Sequence, residues 1–336
     1  MTPEAAIEHA VELARHAPAS GPNPRVGAVL LRGDQIIGEG WHKGAGHAHA
    51  ESAALQDAIA KGNEVEGATL VVTLEPCKHH GRTPPCTNLI EDAGISEVIY
   101  ACSDPGDTPG SGSKILAQKG IKVHQLENEN ATELIRVWST AIKKGRPYVT
   151  AKIAASLDGR IAAADGSSQW ITCPASRDHS HQVRSEVDAI AVTTGTVLKD
   201  NPALTARTQN GDLMSQQPLR VVVGERTIGP DAKIWHTGFP DDVVHYRTHD
   251  ITEVLEQLAE REVRHVLLEG GPALLTEAFR AGVVDEVHAY IAPVVIGSGP
   301  NAVQDYGAET LGQALRFKTI SVQRLGEDAL LIARND

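Results

Sequence analysis

Hydrophobic positions along this chain switch repeatedly between a helical period and a strand period, and the switching predicts an α/β architecture. Thr2-Pro3-Glu4 supplies an N-cap, a proline at the first helical position and a first-turn acid. Ile7, Val11 and Ala14 then recur at helical spacing, so an amphipathic helix is expected to end before Pro18. Val26–Leu31 and Gln35–Gly40 are strand-length runs flanking Gly33-Asp34, which is a hairpin signal. A helix from about Ala48 to Lys61 follows. Strands are then expected at Ala68–Leu74, Val98–Ala101 and Ile121–Val123, alternating with helices near Thr87–Ala93, Lys114–Lys119 and Thr132–Lys143. Such alternation builds a mostly three-layer α/β/α sheet.

At Lys143-Lys144-Gly145-Arg146-Pro147 the helical pattern stops, and a β-branched run, Tyr148–Ile153, begins after the proline. The chain is expected to divide there into residues 1–145 and 146–336. The second part restarts the alternation, with strands expected at Val149–Ala154, Ala189–Thr194, Arg220–Val223, Val243–Tyr246, His265–Glu269 and Glu286–Ile291. A final pair lies near Thr319–Arg324 and Ala329–Ala333, and helices fit Ala175–Glu186, Ile251–Arg261 and Ala273–Ala281. No internal repeat or low-complexity segment interrupts the pattern.

Composition narrows the function classes. A chain of 336 residues with 41% hydrophobic content is long enough for two cored domains. A net charge of -12 and 4% aromatic residues argue against a broad nucleic-acid surface, which needs a basic face and stacking rings. No stretch approaches the roughly 18 apolar residues of a membrane span, and the first residues carry acids and histidines rather than a signal-peptide core. Four cysteines make a poor disulfide framework. The protein is therefore expected to be soluble and cytoplasmic.

Two of those cysteines change the picture. His49-Ala50-Glu51 is followed by Glu75-Pro76-Cys77 and by Pro85-Cys86, which offers one imidazole, two thiols and a carboxylate to a shared metal. Zinc that activates water needs three protein ligands and an open position, and His49, Cys77 and Cys86 supply the three. Glu51 is then free to carry a proton. This is the logic of the zinc deaminases, whose signature is H-x-E with P-C-x-x-C, although eight residues separate the cysteines here. A fourth ligand from His79, His80 or Cys102 would instead close the shell and make the zinc structural.

Ser20-Gly21-Pro22-Asn23-Pro24-Arg25-Val26-Gly27, His49-Ala50-Glu51 and Thr73-Leu74-Glu75-Pro76-Cys77-Lys78-His79-His80-Gly81-Arg82-Thr83-Pro84-Pro85-Cys86 closely resemble the deaminase half of the bifunctional riboflavin-biosynthesis deaminase/reductase family. In that family the long cysteine spacing is normal. The resemblance implies a cytidine-deaminase-like α/β/α domain with zinc on His49, Cys77 and Cys86 and Glu51 as the catalytic proton carrier. It further implies that Asn23, His42, His79, Arg82 and Asp104 contact the pyrimidine or its ribose phosphate.

Lys152-Ile153-Ala154-Ala155-Ser156-Leu157-Asp158-Gly159-Arg160, Ser168-Gln169-Trp170-Ile171-Thr172, Gly195–Thr205 and Glu269-Gly270-Gly271-Pro272 resemble the reductase half, so the resemblance covers nearly the whole chain. It implies a dihydrofolate-reductase-like α/β domain that uses NADPH. Ser168, Arg184, Leu204, Arg207 and Glu269 would face the substrate, and Ala154, Trp170, Thr196, Asp200 and Gly271 the cofactor. The residues alone say less. Glu269–Pro272 runs from a strand into a helix, where free N–H groups meet phosphate, and Gly297-Ser298-Gly299 offers a second such loop; a plain turn is the alternative for both. The G-x-G-x-x-G fingerprint is absent. Arg184 and Arg207 carry the forked guanidinium that suits a dianionic phosphate. Lys152, Asp200 and Glu269 are candidates for handling a proton, with a salt bridge between Lys152 and a carboxylate as the alternative.

The implied activity is hydrolytic deamination of 2,5-diamino-6-(5-phosphoribosylamino)pyrimidin-4(3H)-one, followed by NADPH-dependent reduction to 5-amino-6-(5-phosphoribitylamino)uracil. The expected partner is that small phosphorylated pyrimidine, without nucleic acid or membrane, and a homo-oligomer is left open. A nucleic-acid deaminase would need a basic groove that this acidic chain does not offer. A regulatory protein with a structural zinc is opposed by the retention of His49, Glu51, Asp200 and Glu269.

Overall fold

The hairpin expected around Gly33-Asp34 forms, and it sets one edge of the first of two sheets. The computed structural model describes residues 1–78, 84–106, 111–238 and 242–335 and divides into two compact units, Met1–Lys144 and Gly145–Asp336. The first unit runs α1 (Pro3–Ala14), β1 (Gly27–Arg32), β2 (Gln35–Trp41), α2 (Ala50–Ala60), β3 (Thr69–Leu74), α3 (Cys86–Asp92), β4 (Glu97–Cys102), α4 (Ser111–Gln118), β5 (Lys122–Gln125) and α5 (Glu129–Lys144). Its sheet has the order β2-β1-β3-β4-β5. The β2–β1–β3 pairs are antiparallel and β3, β4 and β5 are parallel, with Val71 opposite both Val29 and Ile99. Inner strands covered on both faces need continuous apolar runs, and Leu70–Leu74 of β3 is buried throughout.

Helix α1 begins where the sequence indicates, with the Thr2 hydroxyl accepting the Ala5 N–H at 3.3 Å and Ile7, Val11 and Ala14 buried against the sheet. Helix α2 lies unusually close to β2. A Cβ on Gly40 would stand 2.6 Å from the Ala54 nitrogen, so only glycine lets the helix backbone seat there. That seat fixes the first turn of α2, where His49 is the N-cap and Glu51 follows.

The second unit runs β6 (Tyr148–Ser156), α6 (Pro174–Glu186), β7 (Ala189–Thr193), α7 (Thr194–Asp200), β8 (Leu219–Val223), α8 (Lys233–His236), β9 (Val243–Tyr246), α9 (Ile251–Glu260), β10 (His265–Leu268), α10 (Pro272–Arg280), β11 (Glu286–Ala292), β12 (Lys318–Leu325) and β13 (Asp328–Arg334). Its sheet order is β12-β13-β11-β6-β10-β7-β8-β9. The strands β6 to β11 pair in parallel, and β13 and β12 extend the β11 edge in antiparallel fashion. Val149 and Ala151 of β6 join a core with α9 and α10. Thr150 and Lys152 alternate with them and so point to the opposite face, which α6 covers. A charged residue in a central strand is thereby carried to one defined side.

Two helices escape the sequence pattern. α7 and α8 span seven and four residues, too short for an amphipathic period to show. Thr194, expected to end β7, instead opens α7, because the Thr193 hydroxyl accepts the Thr196 N–H at 3.2 Å and caps a helix there. No helix among the described residues is long and apolar enough to cross a membrane.

Replacing Gly40 with alanine is expected to destabilise the first unit by about 1–3 kcal/mol, because backbone must move to admit the methyl. Gly229→Ala, where a Cβ meets nothing within 4 Å, should stay within about 0.5 kcal/mol. Urea denaturation distinguishes them, and equal stability of the two variants would show that α2 is not held close.

Candidate active sites

Three elements of the first unit deliver the metal-like cluster. His49 caps α2, Cys77 follows β3, and Cys86 opens α3. The His49 Nδ1 lies 3.3 Å from Cys86 Sγ and 3.7 Å from Cys77 Sγ, and all three atoms fall within 4.8 Å of one another. Zinc bonds of ~2.3 Å to sulfur and ~2.05 Å to nitrogen put tetrahedral ligand atoms about 3.5–3.8 Å apart. The residues therefore fit zinc. No other group of three metal-ligating side chains occurs among the described residues. Cys102 does not join: its thiol lies 3.5 Å from the Thr132 hydroxyl. His79 and His80, the other conceivable fourth ligands, lie outside the described residues.

Proton placement suits a cation. The Cys86 thiol hydrogen-bonded to Cys77 pulls the Cys77 thiol down to about 4 against the effect of burial, with His49 and the Cys86 N–H adding to it. Cys86 is pushed up, first by sharing its proton with Cys77 and then by burial. Two thiolates side by side repel, so one ionises alone; a divalent ion removes that conflict. Glu51 is 4% exposed and within hydrogen-bonding reach of Cys86, and burial raises its carboxyl above the usual range.

Asn23 and His42 stand at the edge of this cluster. The His42 and His49 rings meet edge to face with centroids 5.5 Å apart. The His42 Nδ1 lies 2.9 Å from the Ala48 carbonyl, which only a protonated nitrogen can bond, so Nε2 is left to accept the Asn23 Nδ2–H at 2.8 Å. Burial lowers His42 and favours this neutral tautomer. Asp104 is buried beyond the end of β4, where its Oδ1 accepts the Gly106 N–H at 2.9 Å. The expected contacts His79 and Arg82 lie outside the described residues.

In the second unit a cleft opens at the C-terminal ends of β6, β10 and β7. All five residues expected at the cofactor line it: Ala154, Trp170, Thr196, Asp200 and Gly271. Ser168, Lys152 and Glu269 share the same cleft. Gly271 caps α10 and its N–H reaches the Thr196 hydroxyl at 3.3 Å, so the turn into α10 faces the cleft with no side chain in the way. Trp170 is 69% exposed, with the Arg177 guanidinium 4.7 Å from its ring centroid. A flat, half-uncovered ring beside a backbone turn fits a dinucleotide.

Arg184, Leu204 and Arg207 are not brought to that cleft. Arg184 spends its fork on Glu269, with Nε and Nη2 each 2.7 Å from a carboxylate oxygen. Lys152 Nζ adds a third bond to Glu269 at 3.1 Å, so the salt bridge weighed against a proton role is present. The Glu269 side chain is 7% exposed, and although burial opposes its charge, Arg184 and then Lys152 hold it well below the usual carboxylate range. Burial lowers Lys152, with Glu269 opposing. The Arg207 Nε donates to the Thr205 hydroxyl at 3.0 Å, while Arg184 Nη1 donates to the Thr205 carbonyl at 3.2 Å, so the two arginines meet on one residue. The Leu204 side chain packs in the core with Ile190 and Val192.

Sequence profiles agree with this division. That of the cytidine and deoxycytidylate deaminase zinc-binding region matches residues 1–102, and that of the RibD C-terminal domain matches residues 147–331. The riboflavin biosynthesis protein RibD of Mycobacterium tuberculosis is 44% identical over 329 residues, covering 97% of this chain and 94% of its own. The chain belongs to the RibD family. The Escherichia coli RibD is 36% identical over 343 residues, covering 92% of this chain and 93% of its own. Among solved structures, Acinetobacter baumannii RibD superposes with a TM-score of 0.89 at 34% identity, covering 99% of this chain and 98% of that one. A Thermotoga maritima protein described as a diaminohydroxyphosphoribosylaminopyrimidine deaminase and 5-amino-6-(5-phosphoribosylamino)uracil reductase gives 0.86 at 34% identity over 99% of both chains. As expected from the resemblance, the RibD fold here joins a cytidine-deaminase-like unit to a dihydrofolate-reductase-like one.

Sequence reading passed over two residues with structural work to do. Glu75, 3% exposed, accepts the Ser113 N–H at 2.9 Å and the Asp104 N–H at 3.4 Å, tying the ends of β3 and β4 to α4 beside Cys77. Its signal was an acid placed directly after a fully apolar strand. Asp158 accepts the N–H groups of Ile296 and Gly297 at 3.0 and 2.8 Å, and bonds to Ser156 and these amides pull it down to about 2. The Gly297 loop is thus filled by the protein's own carboxylate, which leaves the turn before α10 as the one of the two loops that opens on the cleft.

Cys77→Ser and Cys86→Ser are each expected to lose bound zinc, whereas Cys102→Ser and Cys173→Ser retain it. Metal analysis of the four purified variants decides the matter; equal zinc in all would show that the ligands are elsewhere.

Proposed function

We propose that the chain is a bifunctional riboflavin-biosynthesis enzyme, with residues 1–145 as the zinc-dependent pyrimidine deaminase domain and residues 146–336 as the NADPH-dependent reductase domain. The observation that carries it is the pairing of a zinc-fitting His49, Cys77 and Cys86 cluster beside buried Glu51 with a dinucleotide-fitting cleft that encloses Lys152 and Glu269. The substrate is the diaminopyrimidine ribosylamino phosphate, and water replaces its exocyclic 2-amino group as ammonia leaves. When bound, zinc acidifies water and so supplies the nucleophile near neutral pH. Glu51 takes the water proton at its carboxylate and passes it to the ring nitrogen and the departing amine. Asn23 and the neutral His42 orient the pyrimidine end.

In the second domain the aminouracil product is reduced at the ribosyl C1′, which opens the sugar to a ribityl chain. When bound, NADPH supplies the hydride. The protein supplies the proton that accompanies it. Glu269, held ionised by two cations, has none to give, and Asp200 is exposed. Lys152 Nζ is the donor, since burial already biases it toward release. Arg207, which meets Arg184 on Thr205 outside the cleft lining, is the arginine left to turn toward the substrate phosphate, and Arg184 keeps Glu269 charged. The net charge of -12 fits a small-molecule enzyme better than a nucleic-acid binder, and four free thiols fit the cytoplasm.

Incubating the pure protein with the diaminopyrimidine phosphate, with and without NADPH, should give the ribityl and the ribosyl aminouracil respectively by mass. Glu51→Gln is expected to keep its zinc and lose ammonia release by at least ~100-fold while still reducing supplied aminouracil. Near-normal deamination by a zinc-replete variant would end that assignment.

Lys152→Met should bind NADPH yet lose reduction, with ammonia release intact. Because the ammonium is the working form, reduction should fall as pH rises through a value below the ~10.4 of an ordinary lysine. A high-pH limb at or above that value would remove Lys152 from the role.

A further inference from the structure

The segment that carries Asn23 has no helix or strand of its own. It joins α1, which ends at Ala14, to β1, which begins at Gly27, and Pro18, Pro22 and Pro24 each remove a backbone N–H from it. Such a segment is held mainly through its carbonyls and side chains. One holder comes from the last helix of the unit. The Trp138 Nε1–H of α5 donates to the Pro22 carbonyl at 3.1 Å, across 116 positions of sequence. Trp138 follows buried Ala131 and Ile135 at helical spacing, so its ring packs against the core while its one polar atom reaches the residue before Asn23. The helix is itself anchored. At its start the Asn128 Oδ1 accepts the Ala131 N–H at 2.8 Å, and Glu8 of α1 accepts from the Asn128 Nδ2 at 2.6 Å and from the Asn130 Nδ2 at 3.0 Å.

What hangs on this bond is the aim of one amide. Asn23 gives its Nδ2–H to the His42 Nε2 at 2.8 Å, and His42, whose Nδ1 bonds the Ala48 carbonyl at 2.9 Å, lies edge to face with His49. The Asn23 Oδ1 has no partner among the described residues and is the acceptor left for a ligand. Asn23 and His42 line a small hollow together with Gly44 and Ala45. Pro24 confines Asn23 to extended backbone, so Pro22 and Asn23 move as one stiff piece. A displacement of the Pro22 carbonyl is therefore passed on to the amide.

We propose that Trp138 is a positioning residue of the deaminase domain, its indole N–H fixing Pro22 so that Asn23 meets the pyrimidine. This rests on the reading of Asn23 as a residue that orients the pyrimidine. Ammonia release from the diaminopyrimidine phosphate, followed on the full-length, zinc-replete protein without NADPH, tests it in Trp138→Phe, which keeps an aromatic ring and removes the donor. KM is expected to rise about three- to tenfold, the worth of one neutral hydrogen bond, with kcat within about twofold and with zinc content and aminouracil reduction as in wild type. In an Asn23→Ala background the same change should alter KM by less than about twofold, because the group it steers is gone. A residue that only packs would act equally in both backgrounds. The full effect persisting in Asn23→Ala, or a wild-type KM in Trp138→Phe beside a raised KM in Asn23→Ala, would overturn the Trp138 assignment and leave the Asn23 reading standing. A wild-type KM in Asn23→Ala would overturn both.

Discussion

Parallel strands release their C-terminal ends on one edge of a sheet, and each candidate site draws part of its residues from beyond those ends. In the first unit β3 and β4 run parallel, so Cys77 and Asp104 emerge on the same side, where Glu75 locks the two exits together. In the second unit β10 and β7 do the same for Glu269 and Thr196, while Lys152 rises beside them from the middle of β6. Side chains far apart in sequence thus converge without long loops to hold them. The two sheets differ in what they add: an antiparallel hairpin with a closely seated helix in one, and a helix laid over the polar face of a central strand in the other.

The charge arrangement in the second unit is costly, which bears on its purpose. Removing three charged groups from water loses several kcal/mol of solvation per ion, and attraction restores this only when every donor finds an acceptor. Glu269 satisfies both Arg184 and Lys152, but one carboxylate faces two cations, so a net positive charge stays beneath the cleft. An apolar trio would fill this space at less cost. Burial, with Arg184 adding to it against the pull of Glu269, keeps Lys152 easier to deprotonate than a free lysine. That is the profile of a site shaped for chemistry more than for stability.

Most of the architecture was legible in the sequence because its signals are local. Gly33-Asp34, the Thr2-Pro3-Glu4 start and the break at Gly145-Arg146-Pro147 each specify a backbone event within a few residues. His49, Cys77 and Cys86 were legible as a set because few other chemistries use those residue types together. The unread parts depend on distant partners. Nothing near Arg184 in the chain reveals that Glu269, 85 residues away, will occupy its fork. Similarly, Asp158 fills the Gly297 loop from 139 positions upstream. α7 escaped because seven residues are too few for a helical period to show and Thr194 read as the end of β7, and only the Thr193 cap shows why a helix forms.

These distant pairings also redistribute work between residues of the same type. Arg184 and Arg207 look equivalent in sequence as phosphate ligands, yet they converge on Thr205 in different ways. Arg184 gives two of its donors to Glu269, while among the described residues the Arg207 side chain bonds the Thr205 hydroxyl and the Gly211 carbonyl of its own loop. A guanidinium bonded to a carboxylate that is itself neutralised by lysine cannot turn to a ligand without stranding a buried charge, at a cost of about 3–5 kcal/mol. Arg207 faces no such barrier, since breaking its two bonds to neutral acceptors exposes nothing charged. The two arginines therefore differ in what they can still do: the one with the weaker attachments keeps a guanidinium that can turn outward, and the better-bonded one holds Glu269 ionised beside Lys152.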